Sequence, residues 1–528
     1  MRFFTNKKTM LAVFCFCLCS TAFSQTKEVN IEAGKLSEKI TEEEQNTITS
    51  LKITGKINGS DIQLLRKMAG RAYETNAKTN GKLSSLDLSQ AQIVAGGSNY
   101  YVIKRGLSSK YYQPTEDNVI ASYMFTGLTA LTTLKLPTNI TKIEQFAFSS
   151  CSNLTECAIP EGVTIIGDNA FAQCSKLKTI TIPSTVTSLG VAAFKGCEAV
   201  TNVTFAKGIQ LEKIGKEVFS NNASLTTITL PKSVTEIEDR AFYENYSLTS
   251  ITFPSSLTSI GVSAFENCLK LTTLSRFPSS LENIEDKAFL NTSVTAFTVS
   301  SKSDNYTSED GILYDIDKVS LVLYPAGRVS ETLNIPETVS SIEKYAFAYA
   351  KNLKSIELPG GLTNIKDSAF VFSKLTSVTT LASNLAIAKY AFSNCLNLTT
   401  VDFKGAIASI GEAAFQNDRK LSTVKFVGTS IPDFGKYVFT PKLVELKIYV
   451  PSGYVDKYKG GIEKKPAVLG TKYQVLDITT LGVLNPSFDS NVVETARYNV
   501  DGTKATTRTK GINIVKLSNG KVIKTIEK

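Results

Sequence analysis

The stretch FAQCSKLKTITIPSTVTSLGVAAF at 171–194 returns in register through most of the chain. Aligned on the Phe that closes each copy, the anchors are Phe125, Phe148, Phe171, Phe194, Phe219, Phe242, Phe265, Phe289, Phe347, Phe370, Phe392, Phe415 and Phe439. Successive spacings are 23, 23, 23, 25, 23, 23, 24, 58, 23, 22, 23 and 24 residues. One such unit exposes apolar residues above and below itself and cannot fold alone. Copies must therefore stack.

Within the unit, Thr179-Ile180-Thr181-Ile182 alternates polar and apolar residues, as a half-buried strand does, and its β-branched residues suit a pleated surface. Pro183, which has no N–H for a ladder, ends the strand. A second short extended piece follows at 186–189, echoed at 163–166, 234–237, 257–260 and 362–365, and Ala193-Phe194 closes the coil. A period in the twenties with L-x-x-I-x-I/L-P is a leucine-rich pattern. The predicted fold is a β-rich leucine-rich repeat solenoid of about 12–13 coils of about 23 residues, with an α+β N-terminal cap and a small C-terminal β module.

The expected domain plan begins with an export signal at 1–24. Arg2, Lys7 and Lys8 precede an apolar run at 10–18, and Ala22-Phe23-Ser24 offers a cleavage site before Gln25. Removal of that segment lowers the formal charge from +10 to +7, because three basic and no acidic residues leave with it. A capping region at 25–120 follows, in which 33–40 and 61–73 read as short helices and 51–53 and 83–88 as strands. The solenoid occupies 121–460, with 443–460 closing it, and 461–484 is a closing cap or linker. The 58-residue interval holds an insertion at 305–327, read as a solvated hairpin of 312–314 against 321–324. Its acidic residues do not follow the spacing of a calcium loop.

Five of the six cysteines beyond residue 24, Cys151, Cys174, Cys197, Cys268 and Cys395, stand three residues after an anchor Phe, where Asn222 and Asn245 stand in other coils. Side chains stacked in parallel suit buried free thiols better than disulfides. Cys157 takes an inward strand position and reads the same way.

The chain has no His, which removes Ser-His and Cys-His nucleophile pairs, HExxH and most zinc sites. No phosphate-binding glycine loop is present, and the acidic pairs Glu238-Asp239 and Glu285-Asp286 sit at coil edges. No catalytic residue, cofactor or metal is expected. Basic residues are dispersed, without the stripe that nucleic acid requires. What remains is the outward strand face. Its candidate ligand-binding residues are Thr133, Lys135, Thr179, Thr181, Thr227, Thr229, Ser250, Thr252, Thr400, Asp402, Thr423 and Lys425. Thr also suits any exposed strand, so this pattern alone does not require a ligand.

GKLSEKI at 34–40, LKITGKINGSDIQLLRKMAG at 51–70, LDLSQAQIVAGG at 86–97 and the AF-x-x-C-x-x-L repeats resemble the BspA-like leucine-rich repeat surface proteins of anaerobic bacteria. The resemblance implies an adhesin at the cell surface or outer membrane, or a secreted one, binding host extracellular matrix or other surface proteins. Glycans such as mucin are the alternative ligand, and a passive structural surface protein the third reading. The tail at 485–528, with D-G…K-G-I-N-I-V…N-G-K, is similar to the small C-terminal β domains that Bacteroidetes use for export and surface attachment.

Overall fold

Each coil lays down two short strands and one tight corner, and stacking turns these into parallel ladders. The computed structural model describes residues 25–73, 76–106, 108–440, 444–464, 473–481, 494–499, 503–505, 511–517 and 522–527. The expected signal at 1–24 lies outside the described residues.

On the first ladder Thr179–Ile182 pairs in parallel with Asn202–Phe205, and Thr227–Thr229 with Ser250–Thr252. The second ladder is built from pieces such as Lys142–Ile143, Ile165–Ile166 and Ser188–Leu189. Inward residues of both, Ile180, Ile182 and Leu189 in one coil, are buried. The anchor rings stack directly: Phe148 on Phe171 at 4.8 Å, Phe171 on Phe194 at 5.2 Å and Phe392 on Phe415 at 5.0 Å between centroids. Burial of each such side chain is worth about 1.5–3 kcal/mol.

The corner uses left-handed backbone. The residue two before every one of the thirteen anchors has positive φ, from Tyr123 (62°) to Tyr437 (57°), and so do many residues two after, such as Asn221 and Asn394. Each reversal turns another amide toward the next coil: the N–H groups of Tyr123, Phe125 and Gly127 donate to Gln145, Ala147 and Ser149. A left-handed non-glycine residue costs of order 1 kcal/mol. The corner ladder it allows satisfies backbone groups that would otherwise be buried unpaired.

The stack has about 19 turns, more than the Phe anchors count. Gln25–Ile31, Ile48–Ile57 and Ser85–Ile93 pair in parallel with one another and then with Thr133–Lys135, so the N-terminal strands continue the first ladder although they lack the Phe period. At the other end Leu446–Val450 and Tyr473–Asp477 extend it, with the helix Val455–Glu463 burying Tyr458 and Ile462.

The second expected cap helix is Gly59–Met68, with Ile62, Leu65 and Met68 buried. Asn58 and Asp61 form a capping box, and Asp61 also accepts from the Gly34 and Leu36 amides at 2.6 and 2.9 Å. That anchoring explains one correction: 33–40 is not a helix but a turn followed by a single 3₁₀ turn, Leu36–Glu38.

The insertion is a second correction. It is a three-stranded antiparallel meander, Tyr306–Glu309, Ile312–Asp315 and Ser320–Leu323, whose last strand pairs in parallel with Ser341–Ile342. Ile312, Leu313, Tyr314, Leu321 and Tyr324 are buried, so its apolar residues complete the stack. Tyr324 takes the anchor position, stacking on Phe347 at 4.9 Å. The tail forms a four-stranded antiparallel sheet in the order Lys504–Ala505, Glu494–Asn499, Gly511–Leu517, Val522–Glu527. The Asp501-Gly502 and Asn519-Gly520 pairs of the tail lie outside the described residues.

Candidate binding face

The outward residues of the first ladder form patches. Thr179 and Thr181 lie beside Asn202 and Thr204, and all four are exposed. Thr227 and Thr229 lie beside Ser250 and Thr252. Thr400 and Asp402 lie beside Thr423 and Lys425, far along the stack, where the same positions are half-buried. Thr133 and Lys135 adjoin the N-terminal strands, opposite Ser85 and Asp87.

Many hydroxyls one residue earlier have a structural task. Thr132, Thr155, Thr249 and Thr295 donate to backbone carbonyls of the preceding rung. Thr133, Thr179, Thr227 and Thr400, one position on, alternate with these and face outward beside buried Leu134, Ile180, Ile228 and Val401.

The charges toward the ends of the face are largely engaged with each other. Lys135 Nζ lies 3.1 Å from Asp87 Oδ2. Burial alone would raise the Asp87 carboxyl, but hydrogen bonds from Ser89 and Lys135 hold it below the usual carboxylate range. Asp402 Oδ2 lies 3.0 Å from Lys404 Nζ and 4.0 Å from Lys425 Nζ.

Two features of the surface went unread in the sequence. Tyr101, Tyr112, Tyr123 and Phe146 form one half-buried ring cluster, with Tyr101 on Tyr123 at 5.0 Å and Tyr123 on Phe146 at 4.9 Å. Tyr123 and Phe146 are left-handed corner residues, so the cluster sits at the corner and not on the strand face. The signal available was an aromatic at the position two before the anchor in adjacent coils. The other feature is a cleft of about 880 Å³ between 202–210 and 227–233. Its signal was the 25-residue spacing between Phe194 and Phe219.

The five rung cysteines are buried and unpaired with one another. Cys151, Cys174, Cys197, Cys268 and Cys395 each place Sγ within 3.0–3.3 Å of the carbonyl of a Phe in the preceding coil. Cys157 is free and points inward as expected, but is only half-buried. No cluster of three or more metal-ligating side chains occurs among the described residues, and no described helix is long and apolar enough to cross a membrane.

A family model for the BspA type leucine rich repeat region, six copies long, matches residues 109–211, 200–309 and 328–443. Among solved structures, a leucine rich cell surface protein from Faecalibacterium prausnitzii is 25% identical, with 71% of this chain and 86% of that chain covered at a TM-score of 0.42. A leucine-rich repeat protein from Eubacterium ventriosum is also 25% identical, covering 55% of this chain and 67% of that one at a TM-score of 0.38. One from Bacteroides ovatus is 20% identical, covering 71% and 90% at a TM-score of 0.38. No curated protein matches. The whole-chain overlays are loose, whereas the repeat match runs through most of the solenoid: this chain belongs to the BspA type leucine rich repeat family.

Proposed function

We propose that this chain is an exported, surface-displayed binding protein, an adhesin that recognises host or neighbouring-cell proteins through the strand face. The observation that carries the reading is the division of labour along each rung: inward Ile180, Ile228 and Ile251 are buried, while Thr179, Thr181, Thr227, Thr229 and Thr252 stay exposed. A leucine-rich repeat scaffold is in general a non-enzymatic protein-binding surface, and the absence of His is consistent with that role. Binding energy is spread over several coils, since among the described residues the strand face carries no Arg or aromatic cluster of the kind that forms a hot spot. The tail at 485–528 serves export or surface retention and takes no part in binding.

The test is binding of the purified chain to arrays of host matrix proteins and glycans. Selective capture of matrix proteins supports the reading, and capture of glycans alone replaces it.

A further inference from the structure

The coil that closes on Tyr324 holds the meander, and the main-chain ladders stop on reaching it. At the corner the amides of Ser263, Phe265 and Asn267 donate to Asp286, Ala288 and Leu290, but those of Lys287, Phe289 and Asn291 have no such acceptor among the described residues. The corner ladder resumes with Tyr324 donating to Ala346. The second ladder ends at Asn283–Ile284, and its parallel pairing starts again with Ser320 and Leu321 beside Ser341 and Ile342. The first ends with the bridge of Phe277 to Val299 and resumes with that of Asn334 to Glu357. Even the 25-residue interval keeps its corner bonds, from Ala192, Phe194 and Gly196 to Lys216, Val218 and Ser220.

The apolar core divides at the same place. Leu313 joins the cluster that runs from Val29 to Phe297, while Ile312 and Tyr314, its neighbours on one strand, join the cluster that runs on to Val475. Phe289 stacks on Phe265 and Tyr324 on Phe347, and a void of about 20 Å³ is lined by both Phe289 and Tyr324. Main-chain bonds cross from Phe297 N–H to Gly311 and from Gly327 N–H to Val294. Otherwise side chains span the junction: Lys344 Nζ lies 3.1 Å from Asp286, Lys351 Nζ donates to Ser293 Oγ at 2.6 Å and Lys287 lies over the Tyr345 ring. Exposed contacts of this kind couple their elements weakly.

Cooperativity in a solenoid passes from coil to coil through neighbouring interfaces, so a weak interface uncouples what lies on either side. We infer that the strand 312–314 is a seam between two cooperative units, residues 25–300 and 320–477, and that each unit can unfold while the other stays folded. The candidate face is thereby carried on two bodies, with Thr133 to Thr252 on the first and Thr400 to Lys425 on the second.

The chain carries its own probes. Buried Cys151, Cys174, Cys197 and Cys268 belong to the first unit and Cys395 to the second. The full chain is equilibrated at stepped urea concentrations and pulsed with N-ethylmaleimide, and the labelling midpoint of each thiol is read by peptide mass spectrometry. Phe194→Leu is expected to lower the four first-unit midpoints together, by about 0.5–1 M, and to leave Cys395 in place. Phe392→Leu is expected to do the reverse. Ile228→Val and Ile356→Val make the same comparison more gently if a Phe variant fails to fold. Midpoints of all five thiols shifting together in either variant would overturn the inference. So would a Phe194→Leu shift that spares Cys268, since the coils would then unfold one by one.

Discussion

Asn245 and Cys268 occupy the same place in successive coils and hydrogen-bond the same kind of acceptor, Asn245 Nδ2 donating to the Phe219 carbonyl at 2.9 Å and Cys268 Sγ lying 3.1 Å from that of Phe242. Asn245 adds a second bond, its Oδ1 accepting from the Asn222 amide at 3.0 Å. The position therefore selects for a small donor that reaches back one coil, and thiol and amide are two solutions.

Asn245→Ala removes both bonds inside the core. Each buried group so orphaned costs about 1–3 kcal/mol. Asn245→Cys restores the bond to Phe219 and is expected to unfold at a midpoint between Ala and the native chain in a urea titration. Equal loss in both variants would mean that shape, not the hydrogen bond, decides the position.

The rung thiols make stability depend on alkaline pH. Burial pushes Cys151, Cys197 and Cys268 up to about 12 from an ordinary value of 9.0. Between those values the unfolded chain releases these protons while the folded chain keeps them, so stability is complete below about pH 9 and falls as pH rises toward 12. Thermal midpoints should decline over that window, and Cys→Ser at 151, 197 and 268 should flatten the decline. Buried tyrosines such as Tyr314 and Tyr458 contribute the remainder in both proteins. In the chain from residue 25 onward, alkylation under denaturing conditions without reduction should add six labels. Fewer would indicate disulfides.

Arg66 fastens the cap helix to the first coil. Fully buried, it donates through Nη1 to the carbonyls of Tyr123, Met124 and Thr126 at 3.1–3.2 Å and lies over the Tyr101 ring. Desolvation lowers its pKa to about 10, which leaves it charged at neutral pH. Arg66→Met keeps much of the length and removes the donors, at a cost of at least about 1.5–3 kcal/mol for hydrogen bonds to a charged group. Limited proteolysis should then cut first within 25–120 and spare 150–440. Unchanged resistance of the cap would contradict this role.

Much of the architecture could be read because stacking forces it to recur: Phe171, Ile180 and Cys174 each return at one period and each is buried. What escaped was set by backbone hydrogen bonding between coils. The left-handed corner falls on Tyr123, Glu217 and Arg240 as readily as on Asn169, so composition gives little notice of it. The strands at 25–57 carry no anchor Phe, and only the in-register pairing of Val29 with Ile53 and of Leu51 with Leu86 shows that they join the stack. The insertion at 305–327 looked solvated because its acidic residues mark the turns, while Leu313 and Tyr314 turn inward. Of the candidate face, the outward positions were legible and their grouping was not, because which neighbouring rungs join in one ladder, as Thr179–Ile182 with Asn202–Phe205, is set by backbone geometry and not by side-chain pattern.

The strand face is tested most directly by replacing Thr179, Thr181, Thr227 and Thr229 together with Lys and measuring affinity for whichever matrix protein the array identifies. Exposed substitutions of this kind cost little stability beside core truncations, although four like charges on nearby rungs repel. The expected result is a large loss of binding with circular dichroism and thermal midpoint nearly unchanged. Undiminished affinity in a folded quadruple variant would contradict the strand face as the binding surface.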